Sequence, residues 1–363
     1  MARNPVTKAA QIVSKQTYRV IQWATGTVGK TALRHFIENP VFELAGVYVT
    51  NPEKVGKDAG ELVGLPPTGV IATDDIEKIV ALDADCVLFS PLMQNLDIVC
   101  RLLRSGKNVV CPSGPFFPND RFREEFDRLE AAGRDGGTSY HGCGIHPGFS
   151  GDLLPLTLAR LMNRIDRIEI TEVIDKLRNP MIYIEVMGFG RDPDELLAKP
   201  SRSALAPLIF AQSMTMVVEG LGKKIDNLTT KLEVAKATQD IPYPNGVIRT
   251  GTVAGQHYEW TGWSEGIPLI TYHFYWTMGD NIEPKWDNGD SCYRVVIKGD
   301  PPLEVRLMGG VEEDGRRPFH GLPWTGLLGA TAVPAVCDAR PGVITHLDLG
   351  VVQPRGLVRP AIG

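Results

Sequence analysis

Ala24-Thr25-Gly26-Thr27-Val28-Gly29 stands between a β-rich run, Tyr18 to Trp23, and a helical pattern that puts Val28, Leu33, Phe36 and Ile37 near one face. A second β-rich run, Phe42 to Val49, follows. Strand, glycine turn, helix, strand is the context in which small residues let a backbone approach a pyrophosphate. Gly26 puts no Cβ in the way, Gly29 lets the helix pack tightly on the strand, and the N–H groups opening the helix can hold the phosphate charge. Ala24 stands where the motif has its first glycine, so the pattern is degenerate and draws its strength from context; the plain alternative is a tight turn. About 20 residues past the glycines, dinucleotide sites often place an acid on the ribose 2′-hydroxyl. Here that place holds Thr50-Asn51, with Lys54 and Lys57 close behind. No acid stands there to repel a 2′-phosphate, so the expected cofactor is NADP(H) in preference to NAD(H), unless both lysines are plain solvated charges.

A nicotinamide cofactor also needs a group that handles the proton of the acceptor atom. His146 is the leading candidate, as it lies in the glycine-rich stretch Gly142-Cys143-Gly144-Ile145-His146-Pro147-Gly148-Phe149 that follows a sheet strand. Its alternative is a hinge histidine bonded to backbone. Glu185, in the apolar run Met181-Ile182-Tyr183-Ile184-Glu185-Val186-Met187, is either on a solvated face or in a pocket where a raised pKa suits an acid. Ser90 and Pro91, and further on Ser113 and Gly114, begin loops at the carboxyl ends of strands, where such sheets bind their ligands. Phe116, Tyr140, His146 and Tyr183 are candidates for the substrate pocket, although aromatics pack more often than they bind. Tyr258, Trp260, Trp263, Tyr272, Phe274 and Trp276 suit either a pocket wall or a sheet core. No group of His, Cys, Asp and Glu has metal-ligand spacing, so no metal is expected.

The elements that must position these residues fall into two sets. Up to His141, strands alternate with helices, which indicates a doubly wound parallel Rossmann sheet of α/β class. Its loops at 24–29, 50–57, 90–94, 112–118 and 142–149 should line one cleft. Beyond the hinge, Arg167 to Ile174, Met181 to Phe189, Leu232 to Ala235, Gly246 to Val253, Gln256 to Ser264, Pro268 to Thr277 and Cys292 to Lys298 read as strands, and Ala204 to Leu221 as a helix. These suggest an α+β domain on a largely antiparallel sheet. The expected organisation is a flexible leader at 1–16, a dinucleotide-binding domain at 17–149, a substrate and dimerisation domain at 150–324, and a last helix and tail at 325–363. Val343 to Leu349 reads as strand-like.

The net charge of −5 over 363 residues, with no basic block, gives nucleic acid no footprint. Six scattered cysteines without a CxxC pair fit free thiols in a reducing compartment. The longest uncharged run, Phe319 to Cys337, is too broken by proline and glycine for a membrane span. With no apolar stretch near Met1, the expected location is the cytoplasm.

YRVIQWATGTVGKTALRHFIE, GVYVTNPEKVGKDAGEL and GCGIHPGFSGDLLP resemble the dihydrodipicolinate reductase-like NAD(P)-dependent oxidoreductases, in the branch of native amine dehydrogenases and 2,4-diaminopentanoate dehydrogenase. The likeness spans most of residues 18–350. It implies reversible oxidative deamination of a small amine to a ketone or aldehyde and ammonia, a homodimer, an active site between the two domains, and a last helix that returns to the cofactor domain. It also implies a glutamate in the loop after the strand matching Asn108 to Cys111. This chain has Pro112-Ser113-Gly114-Pro115 there, and no acid until Asp120. Either another residue, such as Glu185 or His146, does that work, or the chain reduces something else. A cofactor-binding redox sensor without turnover and a dehydrogenase of hydroxy compounds are the alternatives.

Overall fold

In the computed structural model, residues 17–177, 184, 186–199, 206–287, 289–313, 315 and 317–358 are described. The first sheet is built by β1 (Tyr18–Trp23), β2 (Phe42–Tyr48), β3 (Cys86–Phe89), β4 (Asn108–Cys111) and β5 (Ser139–Gly142). Between them run α1 (Thr27–Glu38), α2 (Ile76–Ala81), α3 (Leu96–Arg104) and α4 (Arg123–Gly136). A short strand, Gly342–Val343, pairs with β5, and the order across the sheet is Gly342–Val343, β5, β4, β3, β1, β2 with every pair parallel. All four residues of β3 are buried, as a strand covered on both faces requires. This is the doubly wound sheet expected from the alternation.

α5 (Leu153–Ala159) leads into the second sheet. Its strands are β6 (Arg164–Asp175), β7 (Asn227–Ala237), β10 (Val253–Ser264), β11 (Ile267–Thr277), β12 (Ile282–Glu283), β13 (Cys292–Asp300) and β14 (Leu303–Leu307), with a separate ribbon of β8 (Ile241–Tyr243) and β9 (Gly246–Ile248). The order is β12-β7-β10-β11-β6-β13-β14, antiparallel except where β11 meets β6. Period-two alternation sends Ile168, Ile170, Tyr258, Trp260, Tyr272, Phe274 and Ile297 to one face. There they pack with Leu196 of α6 (Pro193–Ala198) and with Met214 and Val217 of α7 (Ala206–Gly220) in one apolar cluster.

The chain then returns. α8 (Gly321–Cys337) lies across α1, followed by β15 (Gly342–Val343) and α9 (His346–Leu349). Close approach is possible because the contact residues are small: a Cβ on Gly326 would sit 2.5 Å from the Val28 carbonyl oxygen, and one on Gly329 would sit 2.8 Å from Leu88. Ala330, Val333 and Val336 complete a core with Val20, Ala32 and Phe36.

Three expected strands are corrected. Gly246 to Val253 is not one strand: β9 ends at Ile248, a turn closed by the Thr252 N–H on the Arg249 carbonyl follows, and Val253 opens β10. Within Met181 to Phe189, Ile184, Val186 and Met187 are helical, with Ile184 and Met187 buried at helical spacing and Val186 turned outward; an apolar run without clean alternation does not fix a strand. Val343 to Leu349 ends as a strand at Val343 because Thr345 starts a helical turn, its side chain and that of Asp348 forming a reciprocal capping box. β14 lacked a clear pattern in the sequence, since its burial is only partial along its length.

Candidate active site

The turn after β1 has the geometry the sequence suggested, with one strained residue. Ala24 has φ 71°, the left-handed region that favours glycine. An L side chain costs about 1–2 kcal/mol there, partly offset by the extra freedom glycine brings to the unfolded chain. Ala24→Gly is therefore expected to raise stability by about 1 kcal/mol or less, read from urea unfolding. Gly29 is fixed by packing, since a Cβ there would lie 2.1 Å from the Ala24 carbonyl oxygen. Gly26 is different: its φ of −72° suits any residue, and a Cβ would meet nothing within 4 Å. No side chain caps the first turn of α1. The glycine thus keeps open the space over free helix N–H groups, which suits a phosphate.

Around this turn the structure draws β2, β3 and β4 together. Gln22, fully buried, donates through Nε2 to the Ala24 carbonyl (2.8 Å) and to Ser90 Oγ (2.9 Å), and Ser90 Oγ donates to the Trp23 carbonyl (3.0 Å). Ser113 Oγ donates to the Pro91 carbonyl (2.6 Å), tying the loop after β4 to the loop after β3. Lys54 donates to the Thr25 carbonyl (2.9 Å) and to Thr25 Oγ1 (3.2 Å). Its pKa is lowered by burial and then by the charge of Lys30. Neither lysine makes an ion pair with a carboxylate among the described residues. Thr50 is exposed, whereas the Asn51 side chain accepts from the Glu53 N–H (2.9 Å) and so serves a local turn. Thr27 and Val28 open α1 beside Gly26.

The 112–118 loop is held from both domains. Gly114 takes φ 81°, and the N–H groups of Phe116 and Phe117 donate to Oε1 of Gln212 on α7, at 2.7 and 3.2 Å. Phe116 is itself buried. Tyr140, expected in the substrate pocket, is corrected: it is fully buried, and its hydroxyl donates to the Pro115 carbonyl (3.0 Å). Alternation turned this ring into the first sheet's core, where it props the loop from below. Burial, and then neighbouring Cys111, hold its hydroxyl pKa well above the usual value. Tyr183 and Glu185 lie outside the described residues.

His146 sits in the hinge as anticipated, but it faces the second sheet. Its side chain is 1% exposed, and Nδ1 lies 3.1 Å from Oε2 of Glu172 on β6. Oε1 of Glu172 accepts from Trp276 Nε1 (2.7 Å). The imidazole stacks on Phe274, with 5.2 Å between centroids and 22° between planes, and meets Phe210, Tyr272 and Tyr293 edge-on. A Cβ on Gly151 would lie 2.3 Å from His146 Nε2, so the ring seats only against a glycine. Nε2 is buried without a hydrogen-bond partner among the described residues. Burial pushes Glu172 upward, but the His146 hydrogen bond and charge, then Lys176 and Trp276, outweigh it and hold its pKa below the usual value. Asp152, also buried, accepts from Gly148 N–H (2.8 Å), Leu153 N–H (2.7 Å) and Ser213 Oγ (2.5 Å) and pins the hinge to α5 and α7.

Glu172, Gln212, Asp152 and Gln22 are missing from the residues expected at the site. For Glu172 a signal existed: it follows Ile168 and Ile170 at period two, on the face that goes to the core. Among the described residues, no group of three His, Cys, Asp or Glu side chains can hold a metal ion, and no helix is long and apolar enough to cross a membrane.

Residues 20–120 match the family described as dihydrodipicolinate reductase, N-terminus, and residues 149–359 match the 2,4-diaminopentanoate dehydrogenase C-terminal domain. An amine dehydrogenase of Streptomyces virginiae is 31% identical over 94% of this chain and 97% of its own length. The structure of an amine dehydrogenase from Mycobacterium smegmatis superposes with a TM-score of 0.79 at 18% identity, covering 93% of this chain and 98% of that one. GenD2 from gentamicin A biosynthesis, in complex with NAD, shares the fold more loosely, with a TM-score of 0.54 at 14% identity over 95% of this chain and 93% of its own.

Proposed function

The chain belongs to the dihydrodipicolinate reductase-like NAD(P)-dependent oxidoreductases, of amine dehydrogenase type, and from that premise we propose that it interconverts a small amine with a ketone or aldehyde and ammonia, using NADP(H). The observation that carries this reading is the open N-terminus of α1 at Gly26, in a chain of which 94% aligns with an amine dehydrogenase. Gly26, Thr27, Val28 and Gly29 hold the pyrophosphate through backbone N–H groups. Ala24 and Thr25 form the approach to it, and Ser90, Pro91, Ser113 and Gly114 border the nicotinamide half. The cofactor supplies hydride at C4 of its ring; the protein aligns the acceptor carbon and excludes water.

Lys54 and Lys30 support the choice of NADP(H). Lys54 lies on Thr25 and feels the charge of Lys30, neither lysine has a carboxylate partner among the described residues, and burial already lowers the Lys54 pKa. A 2′-phosphate answers both charges. Lys54→Glu is expected to weaken NADPH binding about tenfold or more, the value of one charge-assisted hydrogen bond, while NADH binding changes little. Fluorescence titration with both nucleotides tests this. Neither nucleotide binding wild-type protein up to millimolar concentration removes the cofactor-site reading, whereas equal effects of the variant on both nucleotides remove only the preference. The assembly we propose is a homodimer in the cytoplasm, in keeping with six cysteines that are all free thiols; light scattering reads its mass.

A further inference from the structure

We propose that Gln212 of α7 is a positioning residue for the reaction: its side-chain oxygen sets the 112–118 loop against the nicotinamide, so that the second domain governs how one half of the cofactor is held. The inference rests on the hydride-transfer reading. It adds a link between the domain that takes the substrate and the loop that borders the cofactor ring.

The carboxyl ends of the first sheet lay out the cofactor in order. Lys54 follows β2, the Gly26 turn follows β1, and the loops at Ser90 and Ser113 follow β3 and β4. β4 stands two places from β1, roughly 10 Å at the usual strand spacing. A dinucleotide with its pyrophosphate at Gly26 and its 2′-phosphate toward Lys54 therefore brings its nicotinamide half to the 112–118 loop. Three anchors of that loop come from the first domain. Ser113 Oγ donates to the Pro91 carbonyl (2.6 Å), and the Tyr140 hydroxyl donates to the Pro115 carbonyl (3.0 Å). The Gly142 backbone lies so close that a Cβ there would meet the same Pro115 oxygen at 2.1 Å. The fourth anchor crosses from the second domain. Oε1 of Gln212, a residue 1% exposed, accepts from the Phe116 and Phe117 N–H groups at 2.7 and 3.2 Å.

Phe116 and Phe117 are buried, so their N–H groups need a partner inside the protein. Both partners of Gln212 are N–H donors, which fixes the amide with its oxygen toward the loop, and that oxygen has two lone pairs for the two bonds. The residues beside Gln212 on α7 serve the hinge instead. Phe210 meets the His146 ring edge-on at 4.8 Å, and Ser213 donates to Asp152 (2.5 Å). α7 therefore spans from the hinge to the nicotinamide loop, with Gln212 as its contact on the cofactor side. A shift of α7 when substrate binds reaches the loop through this side chain. Removing the acceptor leaves two buried N–H groups unpaired and lets the loop move away from the ring it borders. A purely structural role for Gln212 predicts lost stability, whereas a positioning role predicts a weaker grip on one end of the cofactor.

The test is calorimetric titration of the full chain with NADPH and with 2′-phospho-ADP-ribose, the same dinucleotide without its nicotinamide. Should wild type take NADH instead, ADP-ribose is the counterpart. The variants are Gln212→Met, Gln212→Glu and Gln212→Asn. Met nearly fills the same volume but offers no strong acceptor. Gln212→Met is expected to raise the NADPH dissociation constant about tenfold, the worth of roughly one hydrogen bond, with that of the fragment within about twofold. Gln212→Glu keeps oxygens for both N–H groups and should hold both ligands within about threefold of wild type. Gln212→Asn, one methylene shorter, withdraws the oxygen and should follow Gln212→Met; it keeps the comparison available if the Met variant does not fold. Gln212→Met or Gln212→Asn weakening both ligands by the same factor, with an earlier melt, overturns the proposal in favour of a structural role. NADPH affinity within about twofold of wild type in both variants overturns it as well. Wild-type protein that binds neither dinucleotide removes the cofactor-site reading, and this role with it.

Discussion

Gly26→Asp is expected to bind NADPH at least about 100-fold more weakly while melting no earlier than wild type. The two halves of this result come from the same geometry. A side chain at 26 meets no atom of the folded chain and needs no unusual φ, so the fold does not require glycine there. An Asp at this position is a good N-cap and can satisfy the free N–H groups of α1, which favours the helix by about 1 kcal/mol. Those N–H groups are the ones a pyrophosphate needs. Losing two charge-assisted hydrogen bonds costs roughly 3 kcal/mol, before counting repulsion between the carboxylate and the phosphates. Gly29→Ala makes the contrast, since its Cβ would collide with the Ala24 carbonyl and the damage falls on stability first. Fluorescence titration and thermal melting of both variants separate the cases. Normal NADPH affinity in Gly26→Asp would show that the dinucleotide lies elsewhere, and the assignment of the pyrophosphate to this turn would fall.

The sequence disclosed the first sheet and its glycine turn more fully than the hinge, and the reason is range. A parallel sheet covered on both faces writes itself as apolar runs, and the Gly26 turn is set by six consecutive residues. Lys54 was legible because a loop after β2 has few places to go, although its bond to Thr25 was not. Asn51 was misleading, since its side chain serves the turn that contains it. The buried cluster at the hinge is assembled from distant segments. His146 comes from the hinge, Glu172 from β6, Trp276 from β11 and Phe210 from α7, and no local pattern joins them. Glu185 stands out in the sequence because it interrupts an apolar run. Glu172, in Arg-Ile-Glu-Ile-Thr-Glu-Val, looks like one polar residue among several until period two is followed from Ile168. Tyr140 shows the opposite error: a residue next to the cleft in sequence can point away from it by one step of alternation.

Stability is expected to fall steeply as the pH drops from neutral, beginning near 6.5. Beneath the hinge, His141 and His346 meet edge-on at 4.7 Å. His141 is fully buried, with Nδ1 2.8 Å from the Ile344 carbonyl oxygen, and His346 hydrogen-bonds the Gly148 backbone. The Nε2 atoms of both are buried without partners among the described residues. Burial, and next its neighbour His346, push His141 down to about 3; burial pushes His346 to about 4. Both rings are therefore neutral in the folded protein at pH 5, while in the unfolded chain they take up protons below about 6.5. The unfolded state binds more protons, so stability decreases as the pH falls through the unfolded value and goes on decreasing until the folded values are reached. For His141 alone the loss by pH 5 is about 2 kcal/mol, with His346 adding in the same direction. Glu172 acts at lower pH. Its folded pKa is depressed, so its contribution is present above the ordinary carboxylate value and is lost as the pH falls through the folded one. Urea midpoints measured from neutral pH downward read these contributions. His141→Gln should be less stable at neutral pH yet lose less between pH 7 and 5, because the amide removes the proton that unfolding takes up. A wild-type midpoint that stays flat over that interval would mean the histidines are hydrated, and the hinge would not be packed as described.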